Sequence, residues 1–337
     1  MIMEKVAVVI LNYNGAAMLQ TFLPAVIENS QGAAVVVADN ASTDNSVAVL
    51  REHFPQVRLI TLDRNYGFAG GYNKALEQVD AEYHILLNSD VEVTPGWLSP
   101  LLSFMEQNRD AVACQPKILS YRNKVEFEYA GASGGFIDRY GYPYCRGRLF
   151  GTLEEDKGQY DDVCRVFWAT GAAMMVRSSA YRAAGGLDEQ FFAHMEEIDL
   201  CWRMQAMGGS IYVVPQSTVY HVGGATLSKS NPHKTFLNFR NNLLMLYKNL
   251  PAEELRPVMR RRALLDYVAA VKFLLSFHWG DFRAVLRARR EYRRLRGGYG
   301  AFRAANHAKP HGCIEGRAPF SLLWQYYLRG KKRYSQL

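Results

Sequence analysis

Five side chains able to do acid–base or ligand chemistry stand where a chain can present them: Asp39, Asp90, Glu196, Glu197 and His221. Ile85-Leu86-Leu87 breaks into Asn88-Ser89-Asp90 and resumes with Val91 and Val93 around Glu92, so a buried strand either runs out into a turn or delivers Asp90 to a ligand. Glu196 and Glu197 open a helical pattern. As neighbours they point about 100° apart, so one of them at most projects into a cleft as a general base. Asp199 and Arg203 are spaced to pair along that helix. His221 is followed by Val222-Gly223-Gly224-Ala225-Thr226, and glycines there permit the close approach that a ligand or metal needs. Taken singly, each has a plainer reading: turns favour Asp and Asn, a helix N-terminus collects acids, and a histidine after a strand is often structural.

The elements that must position these residues are legible from periodicity. Apolar runs at residues 6–11, 35–38, 57–62 and 83–87 read as buried strands, separated by helical patterns at 16–28, 42–54 and 69–79. Ser42-Thr43-Asp44 offers N-caps for the second helix. This alternation predicts an α/β fold with a parallel, doubly wound sheet. Ligands in such sheets lie beyond the carboxyl ends of the strands, the edge to which Asn12, Asp39, Asn65 and Asp90 all belong. That convergence favours a nucleotide or similar polar ligand. Residues 95–108 read as helix, 110–165 as short strands and loops, and 195–207 as a helix ended by Gly208-Gly209. Strand candidates follow at 211–214 and 218–220, the second of which delivers His221.

The 337 residues suffice for a large core. The net charge of +8 is concentrated: residues 256–296 hold 12 Lys+Arg against three acids, a net of +9, and the rest is near neutral. That distribution argues against a nucleic-acid groove spread over the fold. Cys114, Cys145, Cys164, Cys201 and Cys313 form no CxxC pair, which reads as a reducing compartment without structural zinc. The opening MIMEKVAVVILNYNG reads as a first strand, its apolar run being too short to span a membrane. A dinucleotide site fits poorly. Gly67-Phe68-Ala69-Gly70-Gly71 has the spacing G-x-x-G-G, although Asp90 lies 20 residues after Gly70, where a ribose-binding acid is sought.

VVILNYNG, VVVADNAS, NYGFAGGYNKAL, LLNSDVEV, TGAAMMVR, GGLDEQFFAHMEEIDLCWR and YHVGG occur in the order seen in the family 2 inverting glycosyltransferases, and the chain resembles the rhamnosyltransferase-like bacterial branch over about residues 5–245. The resemblance implies a GT-A fold, with a Rossmann-like, mostly parallel sheet flanked by helices and a C-terminal helical extension. It divides the chain into a catalytic domain at 1–235 and a basic extension at 236–337. It implies that Asp39 recognises the nucleotide base, that Asn12, Asn65, Lys74, Asn88 and Asp90 contact the donor, that Asp90 and His221 hold Mg2+ or Mn2+, and that Glu197 is the catalytic base. Glu196, Asp188 and Trp168 are implied on the acceptor side or its loop. Asn88 stands where the family's DxD motif has its first Asp, which removes one charge; Asn is common there in this branch.

The implied reaction is transfer of rhamnose or another hexose from a UDP- or dTDP-linked donor to a lipid-linked saccharide in cell-surface polysaccharide assembly. A non-catalytic nucleotide-sugar- or saccharide-binding protein on the same fold is the alternative. Residues 264–279 are apolar but interrupted by Asp266, Lys272 and His278, and arginine clusters flank them. Such a segment suits an amphipathic helix on an anionic membrane surface, and otherwise packs on the catalytic domain with its arginines solvated. The expected location is the inner face of the bacterial cytoplasmic membrane.

Overall fold

The computed structural model describes residues 4–223, 231–307 and 314–337. Cys313 and the Gly224-Ala225-Thr226 segment after His221 lie outside the described residues. Chain order begins β1 (Glu4–Asn12), α1 (Ala16–Asn29), β2 (Ala34–Asp39), α2 (Ser46–His53), β3 (Arg58–Thr61), α3 (Gly67–Leu76) and β4 (Ala81–Asn88). The four strands are parallel in the spatial order β3-β2-β1-β4. The alternating αβ pattern demands this arrangement, because parallel neighbours need a crossover between them.

β5 (Val91–Val93), α4 (Leu98–Gln107) and β6 (Ala111–Ser120) follow. A small antiparallel sheet of β7 (Gly135–Ile137), β8 (Pro143–Cys145), β9 (Arg148–Leu149) and β10 (Thr152–Leu153) occupies the region read as short strands and loops. β11 (Cys164–Val166), β12 (Ala173–Arg177), α5 (Ser178–Ala183), α6 (Glu196–Ala206) and β13 (Ser210–His221) complete the catalytic half. β12 runs antiparallel to both β4 and β6, and β13 lies parallel to β6. The two expected strands near 211 and 218 are one strand, with a register shift between Val214 and Thr218.

Both faces of the central sheet are covered. Val6, Val8 and Ile10 point into one apolar cluster with α1 and α4, and Ala7 and Val9 into the other with α3 and α6. The period of two in a continuous apolar run leaves no other arrangement. The caps expected for α2 act differently: Asn45 precedes the helix without a side-chain bond, while Asp44 accepts from Ser46 N at 3.0 Å and reaches across to Ala16 N of α1 at 3.1 Å.

The C-terminal part is helical: α7 (Pro232–Asn249), α8 (Ala252–Leu275), α9 (Trp279–Leu295) and α10 (Gly300–His307). The expected division at 235/236 falls inside α7, and Leu243, Leu244, Val258 and Tyr292 share one core cluster with the sheet. α8 is inverted. Its inner stripe is Val258, Arg262, Asp266 and Ala270, where Asp266 accepts from Arg262 at 3.2 Å and from Arg289 of α9 at 2.5 Å. Its outer stripe is apolar: Leu264, Val268 and Leu275 are 66%, 58% and 74% exposed. The expectation that packing hides the apolar residues while the arginines are solvated therefore fails at these positions. Two of the arginines are inside, paired to a buried carboxylate, and the aliphatic side chains are outside.

Candidate active site

Strand register brings the predicted polar residues to one edge. Asn12 pairs in register with Asp39, and Leu11 with Asn88. Asn12 is buried and donates through Nδ2 to Asp39 Oδ1 at 3.0 Å and to Ser42 Oγ at 3.2 Å, while Asp39 Oδ2 accepts from Ser42 N at 2.9 Å. The loop after β2 is thus bound to the loop after β1. A residue without an advance signal, Asn40, ties in the third loop: its Nδ2 donates to Gly67 O at 2.9 Å and to Asn65 Oδ1 at 3.1 Å, and its Oδ1 accepts from Tyr66 N at 2.9 Å. Asn65 caps the loop by accepting from Gly67 N at 2.8 Å.

β4 ends at Asn88, a two-residue turn follows, and Asp90 leads directly into β5. β13 arrives alongside. His221 pairs in register with Val91, and Val222 N donates to Asp90 O at 3.0 Å. This places His221 Nε2 3.1 Å from Asp90 Oδ1 and 3.4 Å from Asn88 Nδ2. On the other side of the ring, Nδ1 lies 3.3 Å from Glu128 Oε2, an ion-pair contact with poor hydrogen-bond alignment. The glycine after His221 is used, though for a side chain: a Cβ on Gly223 would stand 2.6 Å from Glu128 Oε1. Burial alone would discharge the imidazole, but hydrogen bonds and charge from Asp90 and Glu128 outweigh it and push His221 up to about 10. Burial would likewise raise Asp90, and His221 instead holds it below the usual carboxylate range.

Glu196 and Glu197 open α6 after a loop in which Phe192, His194 and Met195 all adopt left-handed backbone, with φ of 63°, 70° and 73°. Left-handed non-glycine residues are costly and need outside support. Asn241 of α7 supplies it, donating through Nδ2 to the carbonyls of Phe191, Ala193 and His194 at 2.8–2.9 Å. Arg240 adds bonds to Gln190 O and Phe191 O. From the other side Phe192 O accepts from Phe68 N at 2.7 Å. The nominal extension thus shapes the loop before the acids. Behind it, Asp199 pairs with Arg203 at 2.9 Å as its spacing predicts, though fully buried, and also with Lys248 at 2.8 Å.

Gly171 joins the two halves of the site. A Cβ there would meet Phe68 Cζ at 2.9 Å and lie 4.0 Å from Glu197 Cβ, and the next residue's carbonyl, Ala172 O, accepts from Asn88 N at 3.0 Å. Glu197 therefore flanks the same floor as the Asn88–Asp90 turn. Glu196 Oε2 and Glu197 Oε2 are buried without partners. Desolvation pushes Glu197 up to about 7, and desolvation together with the Glu197 charge raises Glu196 well above the usual range. Burial and their mutual repulsion disfavour two charges on this pair, and Glu197 is the easier of the two to ionise.

Lys74 and Trp168 find other surroundings, while Asp188 sits in the loop before α6. Lys74 is partly exposed on α3 and pairs with Glu77 at 3.1 Å. Trp168 is 3% exposed and donates from Nε1 to Phe136 O at 3.1 Å, packed over Gly135, so it is a core residue and does not face an acceptor. Asp188 anchors the loop before α6, accepting from Gln190 N at 3.0 Å and from Lys248 Nζ at 2.6 Å. Glu92, left without a role by the sequence, pairs with Lys124 at 2.7 Å near the surface.

The mostly parallel sheet carries a polar carboxyl edge, a carboxylate–imidazole pair and a desolvated glutamate on one floor, an arrangement of the GT-A fold. The sequence profile of Glycosyl transferase family 2 matches residues 7–177, and the chain belongs to that family; the dinucleotide-site and binding-only readings give way to a glycosyltransferase. It is 28% identical over 237 residues to the N-acetylglucosaminyl-diphospho-decaprenol L-rhamnosyltransferase of Mycobacterium tuberculosis, covering 65% of this chain and 76% of that protein. It is 25% identical over 165 residues to Rhamnosyltransferase WbbL of Escherichia coli K12, covering 46% of this chain and 61% of that one. The fold is similar to that of GalNAc-T7 with UDP, GalNAc and Mn2+, at a TM-score of 0.58 and 14% identity, covering 92% of this chain and 59% of the other. It is also similar to the mannosyltransferase PcManGT from Pyrobaculum calidifontis with GDP-Man and Mn2+, at a TM-score of 0.52 and 14% identity, covering 91% and 86%.

Proposed function

We infer that this glycosyltransferase moves rhamnose or another hexose, with inversion, from a UDP- or dTDP-linked donor to a lipid-linked saccharide in cell-surface polysaccharide assembly. The observation that carries the reading is the shared floor at Gly171–Ala172, with Glu197 on one side and the Asn88–Asp90 turn on the other. Inversion by direct displacement needs a base for the acceptor hydroxyl opposite the leaving group. Glu197, with a pKa near neutrality, is suited to take that proton. The rhamnosyltransferase relative, whose own name specifies a diphospho-decaprenol acceptor, supports the acceptor class.

Asp90 would be the anionic ligand of a divalent cation, with Asn88 as a weaker neutral neighbour, and His221 would join the shell by giving up the Nε2 proton that Asp90 and Glu128 favour. Among the described residues no group of three or more His, Cys, Asp and Glu is placed to hold a metal, so donor diphosphate oxygens and water must complete the set. Bound there, Mg2+ or Mn2+ would neutralise charge developing on the leaving diphosphate. A thermal-stabilisation screen of nucleoside diphosphate sugars with and without Mn2+ tests this. A UDP- or dTDP-sugar is expected to stabilise the chain more with Mn2+ present; indifference to every such donor sinks the reading.

The outer stripe of α8 supports a working position on the inner face of the cytoplasmic membrane. Val271 continues the row of Leu264, Val268 and Leu275, Phe277 follows at 79% exposure, and Lys272 Nζ lies 5.3 Å from the Tyr327 ring, joining the row to exposed Trp324, Tyr327 and Leu328. Arg260 and Arg261 of α8 and Arg290 of α9 are exposed. No helix among the described residues is long and apolar enough to cross a membrane. Such a surface suits apolar insertion with anionic headgroups at its border. The full chain is expected to co-sediment with phosphatidylglycerol vesicles. Val268→Glu with Val271→Glu is expected to lower partitioning on the order of tenfold or more, and equal sedimentation of the two forms removes the idea.

A further inference from the structure

Beside the strained loop lies a second, basic hollow that the transfer chemistry does not use. It has a volume of about 430 Å3 and is lined by residues including Phe192, His233 and Phe236, with Arg240, Arg287 and Arg294. Glu291 also lines it and pairs with Arg294 at 2.7 Å, leaving the lining two positive charges in excess. Phe236 orients the other two guanidiniums, with Arg240 5.1 Å and Arg287 4.5 Å from its ring centroid. Arg287 makes no ion pair among the described residues, so the face of its guanidinium fork away from Phe236 is free for an anion. Burial pulls Arg240 below its usual value, and the nearby Glu291 and Asp188 offset only part of that.

Two neighbours say what kind of anion. Phe192, on the rim, begins the left-handed turn that leads five residues later to Glu197. At the other end, the N-termini of α7 and α9 interlock: Thr235 Oγ1 donates to Asp281 Oδ1 at 2.6 Å, and a Cβ on Gly280 would stand 2.6 Å from Pro232. That junction places exposed Phe277 and Trp279, the end of the apolar surface, next to the helix that carries His233 and Phe236. The hollow therefore lies between an apolar face and the catalytic loop. An acceptor whose lipid lies in the first and whose sugar reaches the second has its linking phosphates between them.

The geometry points to a binding site for the diphosphate of a polyprenyl-diphosphate-linked acceptor, in which Arg287 offers its guanidinium fork while Arg240, held by the loop carbonyls, and Arg294, paired with Glu291, add positive charge at the rim. Arginine is suited to this because its planar fork meets phosphate oxygens in pairs. The inference deepens the lipid-linked acceptor proposed above and rests on it. Because Arg240 and Asn241 hold the same loop carbonyls, occupancy here bears on the segment that positions Glu197.

Calorimetric titration of the full chain with farnesyl diphosphate in detergent, in the presence of saturating donor nucleotide, tests the site. Arg287→Ala is expected to weaken binding by about tenfold or more, with Arg287→Lys intermediate and Arg294→Ala also weakened, while farnesol binds none of the forms by this route. Transfer to a water-soluble glycoside lacking phosphate is expected to keep its KM in Arg287→Ala. Equal affinity of wild type and Arg287→Ala for farnesyl diphosphate overturns the proposal. So does a loss seen only on phosphatidylglycerol vesicles, which would mark Arg287 as a general headgroup contact. If the wild type transfers no sugar to any acceptor, the proposed function fails while the titration still decides the diphosphate site.

Discussion

Glu197→Gln is expected to lower kcat by roughly 10²–10⁴-fold while donor binding persists, the range for removing a positioned general base. The side chain keeps its shape at the Gly171 floor and loses only the capacity to take a proton. The wild-type rate should fall about tenfold per unit as pH drops below about 7, because Glu197 must be ionised to act, and the variant's residual rate should lack that slope. Stability moves the opposite way. Glu197 is raised in the folded chain from 4.5 to about 7, so the folded state binds more protons than the unfolded state between those values. The stabilisation present below about 4.5 is lost as pH rises through 7, roughly 3 kcal/mol for this shift. Glutamine does not titrate. The variant should therefore melt above the wild type at pH 8, with the difference closing toward pH 5. A variant that is inactive and less stable at pH 8 would show Glu197 to be structural, and one that turns over normally would end its role as base.

How much of this the sequence carries depends on the range of the interactions. β1 to β4 and their helices are written in local periodicity, so their existence, order and parallel pairing can be read from residues 4–93, with strand ends shifted by one or two residues and helix ends by up to four. Asn12, Asp39 and Asp90 were legible because each directly follows a strand whose carboxyl end faces the ligand. Glu128 carries no such mark: it lies in an irregular segment and reaches His221 only because β13 packs alongside β6. Asn241 is equally silent, a helical asparagine whose role exists only once α7 crosses the loop at 191–194. Trp168 misled because an aromatic in a motif-rich stretch can serve a core as well as a ligand, and here Gly135 leaves the space that buries it. Residues 256–296 misled for a related reason. Net charge counts Arg262 and Arg289 as surface cations, but Asp266 draws both inside.

The largest loss of donor-linked activity outside Glu197 is expected at Asp90. Among the described residues its carboxylate is the one acid in direct contact with His221 Nε2, on the side of the ring that faces Asn88, whereas Glu128 lies behind Nδ1. With Asn in place of a second acid at position 88, no neighbouring charge in the motif compensates for its removal. Asp90→Ala is therefore expected to weaken Mn2+ binding, measured by electron paramagnetic resonance of the free ion, to abolish the Mn2+-dependent part of donor stabilisation, and to lower transfer by roughly 10³-fold. Glu128→Gln leaves Asp90 and the face of the imidazole toward it in place and removes only the carboxylate that orients the ring from behind. A loss of about 10–100-fold in metal affinity is expected there, the range for a group that positions a ligand without being one. The ordering is the discriminating result. If Glu128→Gln costs more Mn2+ affinity than Asp90→Ala, the imidazole with its rear carboxylate is the principal site and the Asn88–Asp90 turn is secondary. If neither variant changes Mn2+ affinity, the pair at the end of β4 and β13 is a structural clasp between two strands.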